Sequence, residues 1–360
     1  MNGKERVEAA LRGQQPDTVP VMLHNFMLAA KEADVSMAQF RSDPKALAGS
    51  FIQAVERYGY DAVLVEVDTV TLAGAVGVPV DFPDQHPARA HQGCLDSLDH
   101  LDELEVDGLD LSKNERIQVW LEGTRLLKQH FGDEIYIRGN CDQAPFSLAS
   151  MMRSAQEWMI DLTESDNRWK IHRLLEFCTG VCCQFIDLMA ETGADMVSNG
   201  DSPAGPEMIS PAMYREFAWP YECRLVDRAH QNGLPYLLHI CGNTDLILQD
   251  MVKTQADCLE LDQKTNAKLA HELFQDRAVF VGNIDPSGVL ALGSPQLVQH
   301  KTRELLKQFA DTPRFILNAG CAIPATTPSD NLHALIQTAR EGVSQKHFSK
   351  PGSKNLEVKL

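Results

Sequence analysis

No stretch of the 360-residue sequence approaches the ~20 consecutive apolar residues needed to cross a bilayer. Met1-Asn2-Gly3-Lys4-Glu5-Arg6 opens no apolar signal segment. Positive charge is scarce: 33 Lys and Arg face 50 Asp and Glu, a formal net charge of −17. A surface so acidic repels phosphate backbones and, more weakly, anionic membranes, so neither nucleic acid nor a membrane is expected as a partner. The Gly-x-Gly-x-x-Gly turn, the P-loop and His-Glu-x-x-His are all missing, which removes the usual dinucleotide, nucleotide and zinc-protease readings. Nine cysteines is an odd number, and a chain of this length builds a core without disulfides. A reduced, cytoplasmic protein is the expectation.

What is present alternates. Runs rich in Val, Ile and Leu, bounded by Gly, Asp or Asn, predict eight strands at 19–24, 61–67, 135–140, 194–200, 235–240, 256–262, 278–283 and 314–320. Helix-period stretches lie between them, including 166–192 and a helix opened by Ser210-Pro211 and closed by Asn232-Gly233. Eight strands alternating with helices predict a closed (β/α)8 TIM-type barrel, with an open doubly wound sheet as the alternative. A helix at 4–11 extends the N-terminus, and 78–132 is an insertion after the second strand carrying a hairpin and extra helices. Residues 1–345 read as one barrel domain and 346–360 as a loose tail.

Barrel chemistry sits at the C-terminal ends of strands. Those ends carry His24, Asp68, Cys141 with Asp142, Asp201, His239 with Cys241, Asp262, Asp285 and Cys321. In Leu238-His239-Ile240-Cys241-Gly242, alternate residues point the same way, so an imidazole and a thiol share one side. Cys321 ends the last strand. One imidazole and two thiolates are a three-ligand zinc set with a fourth position free for water or substrate. Buried cysteine is more often a small hydrophobe, and that reading stays open at this point. It is the preferred one for Cys178 and Cys182 on their helix; Cys94, Cys223 and Cys258 have no partner spacing, and Cys141 is held as a reserve ligand. Asp68 and Asp201 are candidate acids, substrate contacts or orienting partners of His239, expected in the same cavity, although carboxylates at helix starts also act as caps. Asp262 and Asp285 read as structural.

Lys4-Glu5-Arg6-Val7 with Pro16-Asp17, Ile209-Ser210-Pro211-Ala212-Met213-Tyr214, and Val281-Gly282-Asn283-Ile284-Asp285-Pro286 together resemble the uroporphyrinogen decarboxylase superfamily over most of the chain. The resemblance implies a (β/α)8 barrel. The loop His24-Asn25-Phe26-Met27-Leu28-Ala29-Ala30-Lys31 lacks the arginines that decarboxylases use on porphyrinogen carboxylates, and the tyrosine expected after the third strand is missing, although Asp68 matches the decarboxylase aspartate. His239-x-Cys241, with Cys321 eighty positions further on, instead resembles the zinc motif of the cobalamin-dependent methyltransferase branch, which includes methylcobalamin:coenzyme M methyltransferases. That implies one zinc per chain on His239, Cys241 and Cys321, and methyl transfer between a corrinoid and a small substrate, a thiol or a methylated molecule. A metal-free decarboxylase using Asp68 is the alternative reading, and a non-catalytic zinc barrel a third. Asp84-Gln85-His86-Pro87-Ala88-Arg89 departs from the corrinoid-carrier pattern Asp-x-His-x-x-Gly, so the corrinoid is expected on a separate protein met transiently.

Overall fold

The computed structural model describes residues 1–341 apart from Glu105 and Asp107, so the expected tail at 346–360 lies outside the described residues. Eight parallel strands follow one another around one sheet: β1 (Met22–Leu23), β2 (Ala62–Val65), β3 (Tyr136–Gln143), β4 (Met196–Gly200), β5 (Tyr236–Ile240), β6 (Cys258–Leu261), β7 (Val279–Ile284) and β8 (Phe315–Ala319). Val21 bridges Leu317 in parallel, joining the first strand to the last and closing a (β/α)8 barrel. Every strand lies on an expected segment. The strands are buried along almost their whole length because one face meets helices and the other the barrel lumen, which is why they read as continuous apolar runs.

Helix Gly3–Leu11 closes the floor of the barrel. Its Val7 and Ala10 pack into one cluster with Met22, Tyr136, Met196, Leu237, Cys258 and Ile316. Two residues further along these six strands the lumen turns polar, at His24, Arg138, Ser198, His239, Glu260 and Asn318. The apolar floor thus supports a polar storey immediately below the mouth.

The insertion forms a small antiparallel pair, Val80–Asp81 with Arg89–Ala90, followed further on by helix Glu115–Phe131. Arg41 donates to the carbonyls of Pro83 and His86 and so pins the hairpin loop at the barrel mouth. The helix expected after Ser210 is two helices, Pro211–Phe217 and Trp219–Gln231, broken at Ala218. Pro220 explains the break, since it donates no backbone hydrogen bond and its ring crowds the preceding turn. The long helix after β3 runs Arg168–Ala190. No helix among the described residues is long and apolar enough to cross a membrane.

Candidate metal centre

His239 and Cys241 leave β5 on the lumen side, and Cys321 follows β8. Their ligand atoms, the imidazole nitrogen and two sulfurs, lie within 4.8 Å of one another. His239 Nε2 is 3.0 Å from Cys241 Sγ, and the two sulfurs are 3.6 Å apart. Two thiolates at ~2.3 Å from a tetrahedral zinc stand about 3.8 Å apart, so the sulfur pair already has the spacing of a zinc site. The donor set fits the metal, with His239 Nε2 and Cys241 Sγ at hydrogen-bonding distance, closer than the about 3.5 Å that ligands of one tetrahedral zinc would take.

Strands β5 and β8 are separated by β6 and β7, so the two cysteines meet only because the loop after β8 leans inward. Gly320 permits this. A Cβ there would stand 2.5 Å from the backbone nitrogen of Gln263, just beyond β6. From β6, Asp262 accepts a hydrogen bond from Gly242 N and ties the Cys241 loop to the same ridge. Gly320→Ala should therefore displace Cys321, at a cost of ~1–3 kcal/mol in stability for the overpacking. Metal competition with a chelator should show about tenfold weaker zinc binding; unchanged affinity would remove Gly320 from this role.

The imidazole is set by Glu260. His239 Nδ1 lies 3.1 Å from the Glu260 carbonyl and 3.4 Å from its carboxylate, which leaves Nε2 to face the sulfurs. Glu260 is gripped by Arg138 through paired contacts of 3.1 and 3.0 Å, and by Asn318 Nδ2 at 2.6 Å. Burial alone would push the Glu260 carboxyl up, but Arg138 and then His239 hold it down to about 2. Burial likewise pulls His239 down, while the adjacent Cys241 sulfur and its hydrogen bond reverse this and raise it to about 9. The Cys321 thiol and His239 hold Cys241 well below an ordinary thiol, against burial, and the same contact pushes Cys321 up.

These groups line a cavity of about 210 Å³. Its far wall is His24, Glu66 and Asn140, with His24 Nε2 2.8 Å and Asn140 Nδ2 3.2 Å from Glu66 Oε2. Phe26, Met27, Pro87, Ala88 and Ala322 supply apolar surface. Asp68 also lines the cavity, but its carboxylate accepts from the Val70 and Thr71 amides and the Thr71 hydroxyl, with Arg41 Nε 3.8 Å away.

Three expectations are corrected. Asp201 does not line the cavity. It is fully buried behind β4, where it accepts from the amide and hydroxyl of Ser147 in the first turn of helix Pro145–Arg153, the capping use of a carboxylate. The group that orients His239 is Glu260 rather than Asp68 or Asp201. Cys141 is not at the mouth: it is fully buried in the helix-facing core, and burial pushes its thiol well up. Cys178 and Cys182 are core residues as expected, and Asp285 caps the turn after β7 by accepting from Ser287 and Gly288. Glu260, Arg138, Glu66 and Asn140 were not singled out from the sequence. Charged residues inside otherwise apolar strands were the available signal.

Behind β4, Asp201 faces a second buried acid. Burial pushes Asp201 up to about 6, and burial and then the Asp201 charge push Glu222 well above its ordinary value, with Tyr214 donating to Glu222. Both acids hold protons more tightly folded than unfolded, so their contribution to stability is present below about pH 4 and is lost as pH rises through their raised folded values, about 6 for Asp201. Glu222→Gln should flatten the urea-stability profile between about pH 5 and pH 8 and raise stability at the upper end by on the order of 2 kcal/mol. An unaltered profile would clear this pair as the source.

A family model described as uroporphyrinogen decarboxylase (URO-D) matches residues 2–342. A methylcobamide:CoM methyltransferase of Methanosarcina mazei is 29% identical over 342 residues, covering 94% of this chain and 97% of that protein. A uroporphyrinogen decarboxylase of Thermus thermophilus is 26% identical over 313 residues, covering 85% and 87%. A solved methyltransferase from Methanosarcina mazei superposes with a TM-score of 0.84 at 24% identity, covering 95% of this chain and 99% of that one, a likeness of fold.

Proposed function

We propose that this chain, which belongs to the uroporphyrinogen decarboxylase family, is a zinc-dependent methyltransferase that moves a methyl group between a corrinoid on a separate protein and a small thiol. The observation that carries the reading is the convergence of His239, Cys241 and Cys321 on one point in a polar cavity. The similarity to methylcobamide:CoM methyltransferases over nearly the whole chain supports it. Zinc held by these three residues would take the substrate sulfur in its fourth position and keep it deprotonated at neutral pH.

The protein's own residues prepare that position. Glu260 fixes the tautomer of His239, and Arg138 with Asn318 fixes Glu260. Asp68 is assigned a place on the cavity wall, held by Thr71 and balanced by Arg41. Asp201, shielded by β4, is assigned an indirect part: it secures the helix that begins at Pro145. The decarboxylase alternative would need room and cations for a polycarboxylate macrocycle. A cavity of about 210 Å³ is smaller than the ~300–1,000 Å³ that drug-sized ligands fill. Arg138, the one guanidinium among its lining residues, is already spent on Glu260.

In the direction from corrinoid to thiol, the thiolate sulfur would form its bond to the methyl carbon as the carbon–cobalt bond breaks, and the electron pair of that bond would leave with cobalt. Mixing the zinc-loaded protein with methylcobalamin and a small thiol should bleach the methylcobalamin spectrum and yield the methyl thioether by mass spectrometry. No methyl transfer to or from any corrinoid, alongside measurable porphyrinogen decarboxylation, would overturn the proposal. The loop at 84–89 departs from the corrinoid-carrier pattern Asp-x-His-x-x-Gly at its last position, where Arg89 stands. The purified chain should accordingly contain no stoichiometric cobalt by elemental analysis; a red protein with one cobalt per chain would refute the separate carrier.

A further inference from the structure

We propose that the substrate thiol carries a cationic, ammonium-type group at its non-reacting end. This inference rests on the methyltransferase reading above and concerns the wall of the cavity opposite the metal set.

The charges around the cavity divide unequally. Glu66, Asp68 and Glu260 are carboxylates on its lining, whereas the guanidiniums are Arg138 and, behind Asp68, Arg41. Arg138 is consumed: both terminal nitrogens meet Glu260, and Nε donates to Ser198 Oγ at 2.9 Å. Arg41 stands 3.8 Å from Asp68 and gives its terminal nitrogens to the Pro83 and His86 carbonyls. With His239, Cys241 and Cys321 as imidazole and two thiolates, bound Zn²⁺ makes a formally neutral centre. Glu66 is left over.

Glu66 is 4% exposed, and its neighbours Asn140 and His24 both meet the same oxygen, Oε2. No Lys or Arg pairs with it among the described residues. His24 is 7% exposed, and neither of its ring nitrogens makes an aligned hydrogen bond among the described residues, although Nε2 comes within 2.8 Å of Glu66. Phe26 stacks on the His24 ring at 5.9 Å and holds it against the cavity. A buried carboxylate that no Lys or Arg among the described residues neutralises is a site for N–H donors. No guanidinium or ammonium on the lining is left free to meet an anionic ligand. At the lip, Lys264 is paired with Glu207 and Lys31 donates to the Ala325 carbonyl. A sulfonate or carboxylate would enter without a free cation to receive it, and like charges brought together in a low-dielectric site repel strongly.

Three thiols of equal length separate the cases: 2-aminoethanethiol, 2-mercaptoethanol and 2-mercaptoethanesulfonate. Isothermal titration calorimetry of each into the zinc-loaded protein should rank the cationic thiol at least about tenfold tighter than the neutral one and the anionic one weakest. Glu66→Gln keeps the shape and removes the charge. It should bring cationic and neutral thiols to within about threefold of each other, with zinc content and a circular dichroism melt matching the parent to report that the variant is folded. Tightest binding of the sulfonate, or a cationic preference that survives Glu66→Gln, overturns the inference and leaves the methyltransferase reading standing. If none of the three binds while zinc is retained, the thiol reading falls and this inference with it.

Discussion

Replacing Cys321 by serine should empty the metal site and slow methyl transfer by about a thousandfold or more. A serine hydroxyl does not supply the thiolate that zinc prefers, and two ligands on one strand do not make a closed site. The fold should survive, because Cys321 lies beyond β8, is half-buried and sits outside both apolar clusters. Inductively coupled plasma mass spectrometry should find zinc near background in Cys321→Ser and about one ion per chain in the parent, with matching circular dichroism melts. Cys258→Ser, in the apolar floor, is the control. It should keep its zinc and lose only stability. Full zinc retention in Cys321→Ser would remove this cysteine from the site.

Glu260→Ala should be the most destabilising single change in the barrel lumen, costing ~3–5 kcal/mol. It strands the Arg138 guanidinium, which is 2% exposed, with Ser198 and a methionine sulfur as its remaining side-chain contacts. It also leaves the Asn318 amide without its acceptor. The paired change Arg138→Met with Glu260→Leu should recover most of that stability, since no charge is then left buried without a partner. Zinc affinity should not recover with it. His239 would keep only the backbone carbonyl at position 260 to hold its ring, and losing such an orienting carboxylate typically costs 10–100-fold in metal affinity. Urea unfolding of the zinc-free proteins and chelator competition read the two effects separately. Recovery of both together would mean that Glu260 serves stability alone.

The barrel was legible because the eight strands are buried on both faces and stand out as apolar runs between helix-period stretches. His239 and Cys241 were legible locally, two residues apart where β5 ends. What misled was treating every strand end alike. In β3 the lumen residues are Tyr136, Arg138 and Asn140, so Cys141 is out of phase and faces the helices. In β4 they are Met196, Ser198 and Gly200, and Asp201 is out of phase in the same way. Carrying the two-residue alternation through each strand would have excluded both and drawn attention to Arg138 and Glu260, one step deeper. Cys321 is the exception. It follows Gly320 out of the strand, and only the close approach to Gln263 turns it toward Cys241. The bonding of Glu260 to Arg138, Asn318 and His239 joins four separate strands, so no local pattern announces it.

Zinc K-edge X-ray absorption on the purified protein, before and after adding 2-aminoethanethiol, tests the central claim most directly. The account predicts two sulfurs at about 2.3 Å, one nitrogen at about 2.0 Å and one further light atom, which is replaced by a third sulfur when the thiol binds. A site already closed by four protein ligands and unmoved by thiol, or a protein that takes up no zinc, would contradict it.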